Sequence, residues 1–149
     1  MAIIHQKLYE SENFIDINFK EYIKELFNTL FNSTGLPGSK INLEIDADPI
    51  TLDLNQAVPC GLLCNEILTN IFKHAFPDDK TGTVYISIKK TKAGKNKLKI
   101  KDDGVGFTGG LKNAGQSSLG LQLIQDLVLQ LNGTLKLNQK DRTSYTIIF

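Results

Sequence analysis

The apolar residues of this chain repeat every three or four positions in three stretches, which predict three helices. The first predicted helix covers residues 16–33 and ends at a Gly- and Pro-containing breaker. A longer one is predicted at about residues 56–76, with Pro59 tolerated in its first turn. A third is predicted at about residues 119–131, because the Asn-Gly pair that follows is a good helix stop. Residues 1–10 resemble the tail of a helix that began upstream.

Alternation of apolar and polar residues marks the predicted strands. Two of them form a hairpin joined by a turn at Ala93-Gly94, and residues 50–54 are expected to be a short extended piece. One long loop, rich in Gly, Ser and Asn, is expected at residues 103–118. The predicted strands lie at residues 40–46, 84–88, 98–100, 135–137 and 145–149.

Strands that are grouped beside a few helices predict an α/β (α+β) fold, a two-layer sandwich with a mainly antiparallel sheet. Strict strand–helix alternation is missing, which disfavours a doubly wound parallel sheet. No internal repeat or interdomain linker is visible in the 149 residues.

Composition limits the class of protein without indicating a function. Hydrophobic residues make up 41% and charged residues 22% of the chain, which is ordinary for a soluble domain and excludes a disordered one. No apolar run approaches the roughly 20 residues that span a bilayer, and no secretory signal is visible, so a cytoplasmic protein is expected. Cys60 and Cys64 are too few for a disulfide framework and poorly spaced for zinc, so they are predicted to be reduced core residues.

Seven lysines crowd the predicted hairpin, but the formal net charge is only +1. Three of them alternate with apolar residues, as the solvent-facing side of a strand does. No aromatic residues are interleaved for base stacking, so nucleic acid is not expected as a partner, and neither is direct membrane contact. The lysines are Lys89, Lys90, Lys92, Lys95, Lys97, Lys99 and Lys101.

The second predicted helix carries a polar stripe of Glu66, Asn70, Lys73 and His74. At about 100° per residue these four side chains share about one quadrant of the helix. One interpretation is the solvated face of an amphipathic helix. The other is a site for a hydrated metal–phosphate group, in which Glu66 polarises water and Asn70 offers oxygen to Mg²⁺. Lys73 would then meet phosphate charge, and His74 would donate to a phosphate or ribose oxygen.

Two glycine-containing segments leave similar alternatives open. Asp102 to Gly106 is either an ordinary turn or a binding segment. In the second case the Asp102 carboxylate accepts from an exocyclic amine, and the glycines let the backbone approach a flat ring. Residues 117–121 are either a capped helix start or a phosphate site at a helix N-terminus. Neither segment matches a Walker A motif or a dinucleotide-binding fingerprint.

Taken together, these segments resemble a known family. NEILTNIFKHAF (65–76), DDGVGF (102–107) and SSLGLQLI (117–124) occur in the order and spacing of the N box and the two glycine boxes of one ATPase superfamily. It contains DNA gyrase, the heat-shock chaperone, MutL and the sensor histidine kinases. IHQKLYESE (4–12) and LDLNQAVPCGLL (52–63) resemble the sensor kinase branch with an NELxTNAxKHAFP-type N box and no F box.

The resemblance implies a Bergerat-type ATP-binding fold, with a mixed, mainly antiparallel sheet and helices on one face. ATP and Mg²⁺ would be held between helices and a lid at about residues 107–117. Glu66 would act as the base or water-polarising residue, Asn70 would bind Mg²⁺, and Asp102 would bind adenine. Further ATP contacts would be Lys73, His74, Gly104, Gly106, Ser118, Leu119 and Gly120, with Lys112 as a lid candidate.

The family pattern also implies that this chain transfers the γ-phosphate of ATP to a histidine that it lacks. That histidine lies in an upstream H box, and His5 is expected to be a surface residue outside it. Residues 1–14 are predicted to be a remnant of the dimerisation and phosphoacceptor helix with its linker, and residues 15–149 the catalytic domain. The implied partners are the phosphoacceptor domain of a homodimeric parent kinase and a downstream response regulator.

Two other functions remain open at this point. One is a nucleotide-dependent interaction module that moves its lid without transferring phosphate. The other is an ATPase or Ser/Thr kinase of the anti-sigma-factor type, which needs no H box but fits IHQKLYESE poorly.

Overall fold

The residues that the structure describes fold as three helices and a five-stranded sheet. None of the described helices combines the length and apolar character that crossing a bilayer requires. The computed structural model describes residues 18–33, 41–76, 81–104, 114–139 and 142–149, without the side chains of residues 114–118. In chain order the described elements are α1 (Phe19–Ser33), β1 (Ile41–Ala47), α2 (Leu54–His74), β2 (Gly82–Lys90), β3 (Asn96–Asp102), α3 (Ala114–Gln130), β4 (Thr134–Asn138) and β5 (Ser144–Ile148).

The sheet is mixed and mainly antiparallel, which confirms the predicted fold class. Its strand order is β1-β2-β3-β5-β4. β1 runs parallel to β2, with Ile41 opposite Gly82, and the crossover between them contains α2. The pairs β2–β3, β3–β5 and β4–β5 are all antiparallel.

One face of the sheet is buried and the other is polar, as the alternation predicted. Lys97 and Lys101 are exposed on the outer face, and Lys101 lies over the ring of Tyr85 at 5.1 Å. Lys89 forms ion pairs with Asp46 at 2.7 Å and Asp48 at 3.3 Å. The strand side chains of the buried face include Val84, Ile86, Ile88, Leu98, Ile100, Tyr145 and Ile147.

α1 and α2 contact each other through an aromatic cluster. The ring of Phe72 meets that of Phe27 at 5.1 Å and that of Phe31 at 5.9 Å between centroids. Cys60 and Cys64 are free and buried in the core, as predicted. Burial raises the pKa of Tyr22 on α1, and its hydroxyl has no hydrogen-bond partner among the described residues.

α2 begins two residues earlier than predicted, at Leu54, so the expected extended piece at 50–54 loses its last residue to the helix, whereas Asp53 is extended. The reason is a capping box: Asp53 accepts from the backbone N–H of Gln56 at 2.9 Å, and the Gln56 side chain accepts from the backbone N–H of Asp53. Because of this earlier start, Pro59 lies in the second turn rather than the first. There it removes one intrahelical hydrogen bond.

α3 also begins earlier than predicted, at Ala114 instead of about Leu119, and it ends at Gln130. The helix ends at the Asn-Gly pair, as the sequence predicted. Asn132 adopts a left-handed φ of 54°, the N–H of Gly133 donates to the Val128 carbonyl at 3.0 Å, and the N–H of Asn132 donates to the Leu129 carbonyl at 2.9 Å. These two bonds are those of a Schellman motif.

Candidate functional site

The polar stripe of α2 forms one wall of the candidate site. Glu66 and Asn70 are half-buried, whereas Lys73 and His74 are exposed near the end of the helix. The opposite side of α2 is core, with Ile67, Leu68, Ile71 and Phe72 buried. Half-burial of a carboxylate and an amide is unlike a fully solvated helix face, because such groups need polar partners.

Gly120 of α3 lies directly opposite this stripe. A Cβ placed on Gly120 would be 3.2 Å from Oε1 of Glu66 and 3.6 Å from both Oδ1 and Nδ2 of Asn70. The two motif segments, far apart in sequence, are therefore brought together where α3 contacts α2. Leu119 is 82% exposed beside it.

The structure contradicts one expectation about this segment. Residues 117–121 were expected to open a helix and so present free N–H groups, but Gly120 is the seventh residue of α3. Its N–H lies beyond the first four, which alone lack a partner within a helix. In this conformation the helix already includes residues 114–118, so the N–H groups that were expected to be free lie within the helix. The Ser118 side chain, Gly106, Lys112 and most of the predicted lid lie outside the described residues.

We expect Gly120→Ala to stabilise the fold while weakening nucleotide binding. Alanine is favoured over glycine inside a helix by about 1 kcal/mol, and the closest atom to the added methyl group is the flexible end of Glu66, at 3.2 Å. That methyl group would also occupy the space between Glu66 and Asn70 that a phosphate would need. Thermal melting and calorimetric titration with ATP check the two effects. A lower melting temperature, or unchanged ATP affinity, would contradict this account of Gly120.

Asp102, at the end of β3, presents a buried carboxylate. The residue is 2% exposed, and its Oδ1 accepts from the backbone N–H of Gly104 at 2.9 Å. Oδ2 is buried and has no hydrogen-bond partner among the described residues. Burial raises the pKa of this carboxyl, and the Gly104 N–H and the Arg142 charge only partly oppose that rise. An unpaired buried carboxylate oxygen fits a donor that arrives with a ligand.

Gly104 allows the loop after β3 to meet the end of α2. A Cβ on Gly104 would overlap the carbonyl oxygen of Ala75 and come within 2.8 Å of the Ala75 Cβ. On the other side, Asp103 holds the start of β2, because its Oδ1 accepts from the Thr83 N–H at 2.7 Å. Gly104, which was expected to lie beside a ligand ring, therefore also lets the loop that follows Asp102 pack closely against the end of α2.

A small cavity joins Asp102 to the polar stripe. Its volume is about 10 Å³, which is room for about one water molecule. Sequence reasoning missed two of its polar residues, Thr143 and Tyr145, because Thr143 precedes the predicted last strand and Tyr145 was only its first residue. The signal that could have identified these two residues is a hydroxyl group at a position that is buried. The cavity is lined by Asn70, Ile71, His74, Ala75, Asp102, Thr143 and Tyr145.

The polar side chains of this site suit a hydrated cation that takes most of its oxygen ligands from a bound molecule and from water. Among the described residues, no group of three or more His, Cys, Asp or Glu could hold a metal ion. Asn70 offers one amide oxygen, and Mg²⁺ commonly takes one or two protein oxygens while phosphates and waters supply the rest. The residues therefore fit Mg²⁺ that arrives with a nucleotide, and Asp102 fits the amine of the base.

Two family descriptions match the chain. Residues 55–149 match the family described as "Histidine kinase-, DNA gyrase B-, and HSP90-like ATPase". Residues 1–34 match a family described as "Histidine kinase", and this match includes α1.

Three curated proteins that resemble the chain are histidine kinases. Blue-light-activated histidine kinase 2 of Erythrobacter litoralis is 25% identical over 79% of this chain and 34% of its own length. Sensor histidine kinase YdfH of Bacillus subtilis is 31% identical over 76% of the chain, and PdtaS of Mycobacterium tuberculosis is 27% identical over 91%. The chain spans only 26% of YdfH and 27% of PdtaS, so it corresponds to about a third or less of each relative.

Solved structures show the same fold. The histidine kinase domain of the Erythrobacter litoralis EL346 blue-light-activated kinase has a TM-score of 0.80 at 22% identity and covers 99% of this chain and 69% of that one. The mycobacterial sensor histidine kinase MprB has a TM-score of 0.60 at 21% identity, with 85% and 92% coverage. The family match over residues 55–149 shows that the chain belongs to the histidine kinase-, DNA gyrase B- and HSP90-like ATPase family, and the solved structures show that it has the Bergerat-type ATP-binding fold.

Proposed function

We propose that this chain is the Mg-ATP-binding catalytic domain of a two-component sensor histidine kinase. It transfers the γ-phosphate of ATP to a histidine on a separate domain. The observation that carries the proposal is the buried carboxylate of Asp102, which keeps an unpaired oxygen in the same cavity as Asn70. An acceptor for the amine of the base and an oxygen ligand for the cation are two of the groups that recognition of a Mg-nucleotide needs.

Each site residue has a distinct task in this proposal. Asp102 accepts from the exocyclic amine of adenine, while Gly104 and Gly106 let the backbone approach the ring. Asn70 supplies an oxygen ligand to Mg²⁺, which when bound neutralises charge on the phosphates. Glu66 orients and polarises the attacking group. The remaining phosphate contacts are Lys73, His74, Ser118, Leu119 and Gly120.

The domain boundary and partners follow from the same proposal. Residues 1–14 would be the end of the phosphoacceptor segment, and residues 15–149 the catalytic unit, because Ile23 and Leu26 of α1 are buried in the same core as α2. The partners would be the phosphoacceptor domain of a homodimeric parent and a response regulator that receives the phosphoryl group. A cytoplasmic location would supply the ATP and keep Cys60 and Cys64 reduced.

Phosphotransfer to an added acceptor tests the proposal. The chain is mixed with a purified dimerisation domain that carries an H-box histidine, and labelled Mg-ATP is added. We expect acid-labile label on the acceptor and little on this chain alone. Glu66→Gln should reduce transfer by about 10²-fold or more while ATP affinity stays within about twofold. Glu44→Gln, on the exposed outer face of the sheet, is the matched control and should leave transfer unchanged.

Other outcomes would point to the competing functions. ATP binding without any transfer at high protein concentration would favour a nucleotide-dependent interaction module. Acid-stable label on serine or threonine would favour the anti-sigma-factor type of kinase. Transfer that survives Glu66→Gln at full rate would remove Glu66 from the reaction.

A further inference from the structure

Phe76 follows the polar stripe of α2 in the chain and packs against the first residue of β2, Gly82. The Phe76 side chain is 2% exposed. A Cβ on Gly82 would overlap Cε1 of the Phe76 ring and lie 2.8 Å from its Cδ1. The ring therefore occupies the space that a side chain at position 82 would need.

The next residue of β2 connects this contact to the loop after β3. Thr83 exchanges two hydrogen bonds with Asp103, because its N–H donates to Oδ1 at 2.7 Å and its carbonyl accepts from the Asp103 N–H at 3.1 Å. Oδ1 of Asp103 would also lie 2.6 Å from a Cβ on Gly82. Since Asp103 directly follows Asp102, a shift of Gly82 would move the backbone that carries the proposed adenine-binding carboxylate.

The residue before Phe76 contacts the same loop. The carbonyl oxygen of Ala75 occupies the position that a Cβ on Gly104 would need, and Ala75 lines the small cavity together with Asn70 and Asp102. Two consecutive residues after α2 therefore pack against the start of β2 and against the loop that follows Asp102. Because the polar stripe lies on the same helix, these contacts fix the separation between the stripe and Asp102.

We propose that Phe76 is a positioning residue, which through its contact with Gly82 sets the separation between the Asp102 carboxylate and the polar stripe of α2. The inference rests on the proposed function, in which these two ends of the site bind the adenine and the Mg-phosphate parts of one nucleotide. A site that already holds both ends apart by the right distance loses less free energy to ordering when the nucleotide binds. Gly82 lies outside the three motif segments.

Phe76→Leu tests this role, because it keeps an apolar side chain and removes the ring from Gly82. The affinity of the 149-residue chain for the β,γ-imido analogue of ATP is measured by calorimetry in excess Mg²⁺ and again in EDTA. We expect about tenfold weaker binding in both, the effect of losing one well-placed hydrogen bond to Asp102. The ratio of the two affinities should stay unchanged, because the cation end of the site is not disturbed.

Phe72→Leu is the matched control, since it makes the same change on α2 about one turn earlier. The Phe72 ring is also buried, but it packs against Phe27 of α1 at 5.1 Å between centroids. Its substitution should lower the melting temperature, as a loss of core packing does, and leave both affinities unchanged. Melting curves without nucleotide define the temperature at which every variant is folded and can be compared.

Gly82→Ala provides a rescue experiment. Its methyl group meets the Phe76 ring, so the loop must shift, and we expect binding to weaken by about tenfold or more. In the Phe76→Leu background the smaller side chain leaves room for that methyl group. The double variant should therefore bind the analogue about fivefold more tightly than Gly82→Ala alone.

The outcomes separate the positioning role from the proposed function. Unchanged affinity in Phe76→Leu, an equal loss in Phe72→Leu, or a double variant no tighter than Gly82→Ala would overturn the positioning role. A loss confined to Mg²⁺ would overturn it too, because it would place the effect at the cation end. If Gly82→Ala does not fold, the comparison of Phe76→Leu with Phe72→Leu decides. If the unchanged chain does not bind the analogue, the proposed function itself fails.

Discussion

Asp102→Asn is expected to bind ATP about 10- to 100-fold more weakly than the unchanged chain. The Oδ2 atom of Asp102 is buried and unpaired, so in the proposed site it accepts from the amine of adenine. Asparagine has the same shape but turns an N–H₂ donor toward that amine. Hydrogen bonds to charged groups contribute about 1.5–3 kcal/mol, which sets the expected range. Calorimetric titration with ATP measures it.

The neighbouring residue provides a control for this substitution. Asp103 accepts from the Thr83 N–H through Oδ1, and an asparagine there keeps an acceptor for that bond. Asp103→Asn should therefore leave ATP affinity within about twofold. Unchanged affinity in Asp102→Asn would show that the base binds elsewhere.

The same substitution should make stability less dependent on pH. Burial raises the pKa of Asp102 in the folded state above its unfolded value, so folding favours the protonated form. Its contribution to stability is present below the unfolded pKa and is lost as the pH rises through the folded pKa. At neutral pH, nucleotide-free Asp102→Asn should melt at or above the temperature of the unchanged chain, and the difference should shrink in acid. A difference that widens in acid would contradict the assignment.

Gly104→Ala is expected to destabilise the fold by about 3 kcal/mol and to lose most ATP binding. The new Cβ would overlap the backbone oxygen of Ala75, and backbone cannot move aside as a flexible side chain can. The loop must then shift, and Asp102 with it. A drop of roughly 10 °C in melting temperature corresponds to that loss.

Gly94→Ala is the matched control. Gly94 has a φ of 80°, yet a Cβ there would meet nothing within 4 Å. Its substitution costs about 1–2 kcal/mol for the left-handed conformation and should leave ATP affinity unchanged, because the turn is far from the site. If Gly104→Ala melts like the unchanged chain, the close approach to Ala75 is not needed.

Local periodicity predicted most of the fold, because the helices and strands depend on residues that are close together in the sequence. The turn at Gly94, the stop at Asn132 and the alternation of β2 and β3 were all confirmed. The shared face of Glu66 and Asn70 also follows from helical geometry alone. The capping box of α2 was readable as well, since Gln56 follows Asp53 by three residues.

What the sequence could not show depends on how distant elements pack. The contact of Gly120 with the polar stripe is set by the packing of α3 on α2, and no local pattern reports it. α3 begins at Ala114, although the glycine and serine residues at 114–118 suggested a loop. Thr143 and Tyr145 were not among the predicted site residues, because a strand pattern does not report which distant residues share a cavity. The roles of the site residues stay predictions that the substitutions above address.

The parallel pairing of β1 with β2 also bears on how the molecule folds. Ile41 lies beside Gly82, so this contact closes a loop of about 40 residues, whereas β2 and β3 are joined by a tight turn. Closing a long loop costs more chain entropy, which slows the formation of non-local contacts. The polar stripe of α2 belongs to that crossover, and it meets the end of β3 in the folded chain. A nucleotide that binds there selects the fully assembled chain and shifts the folding equilibrium toward it by mass action.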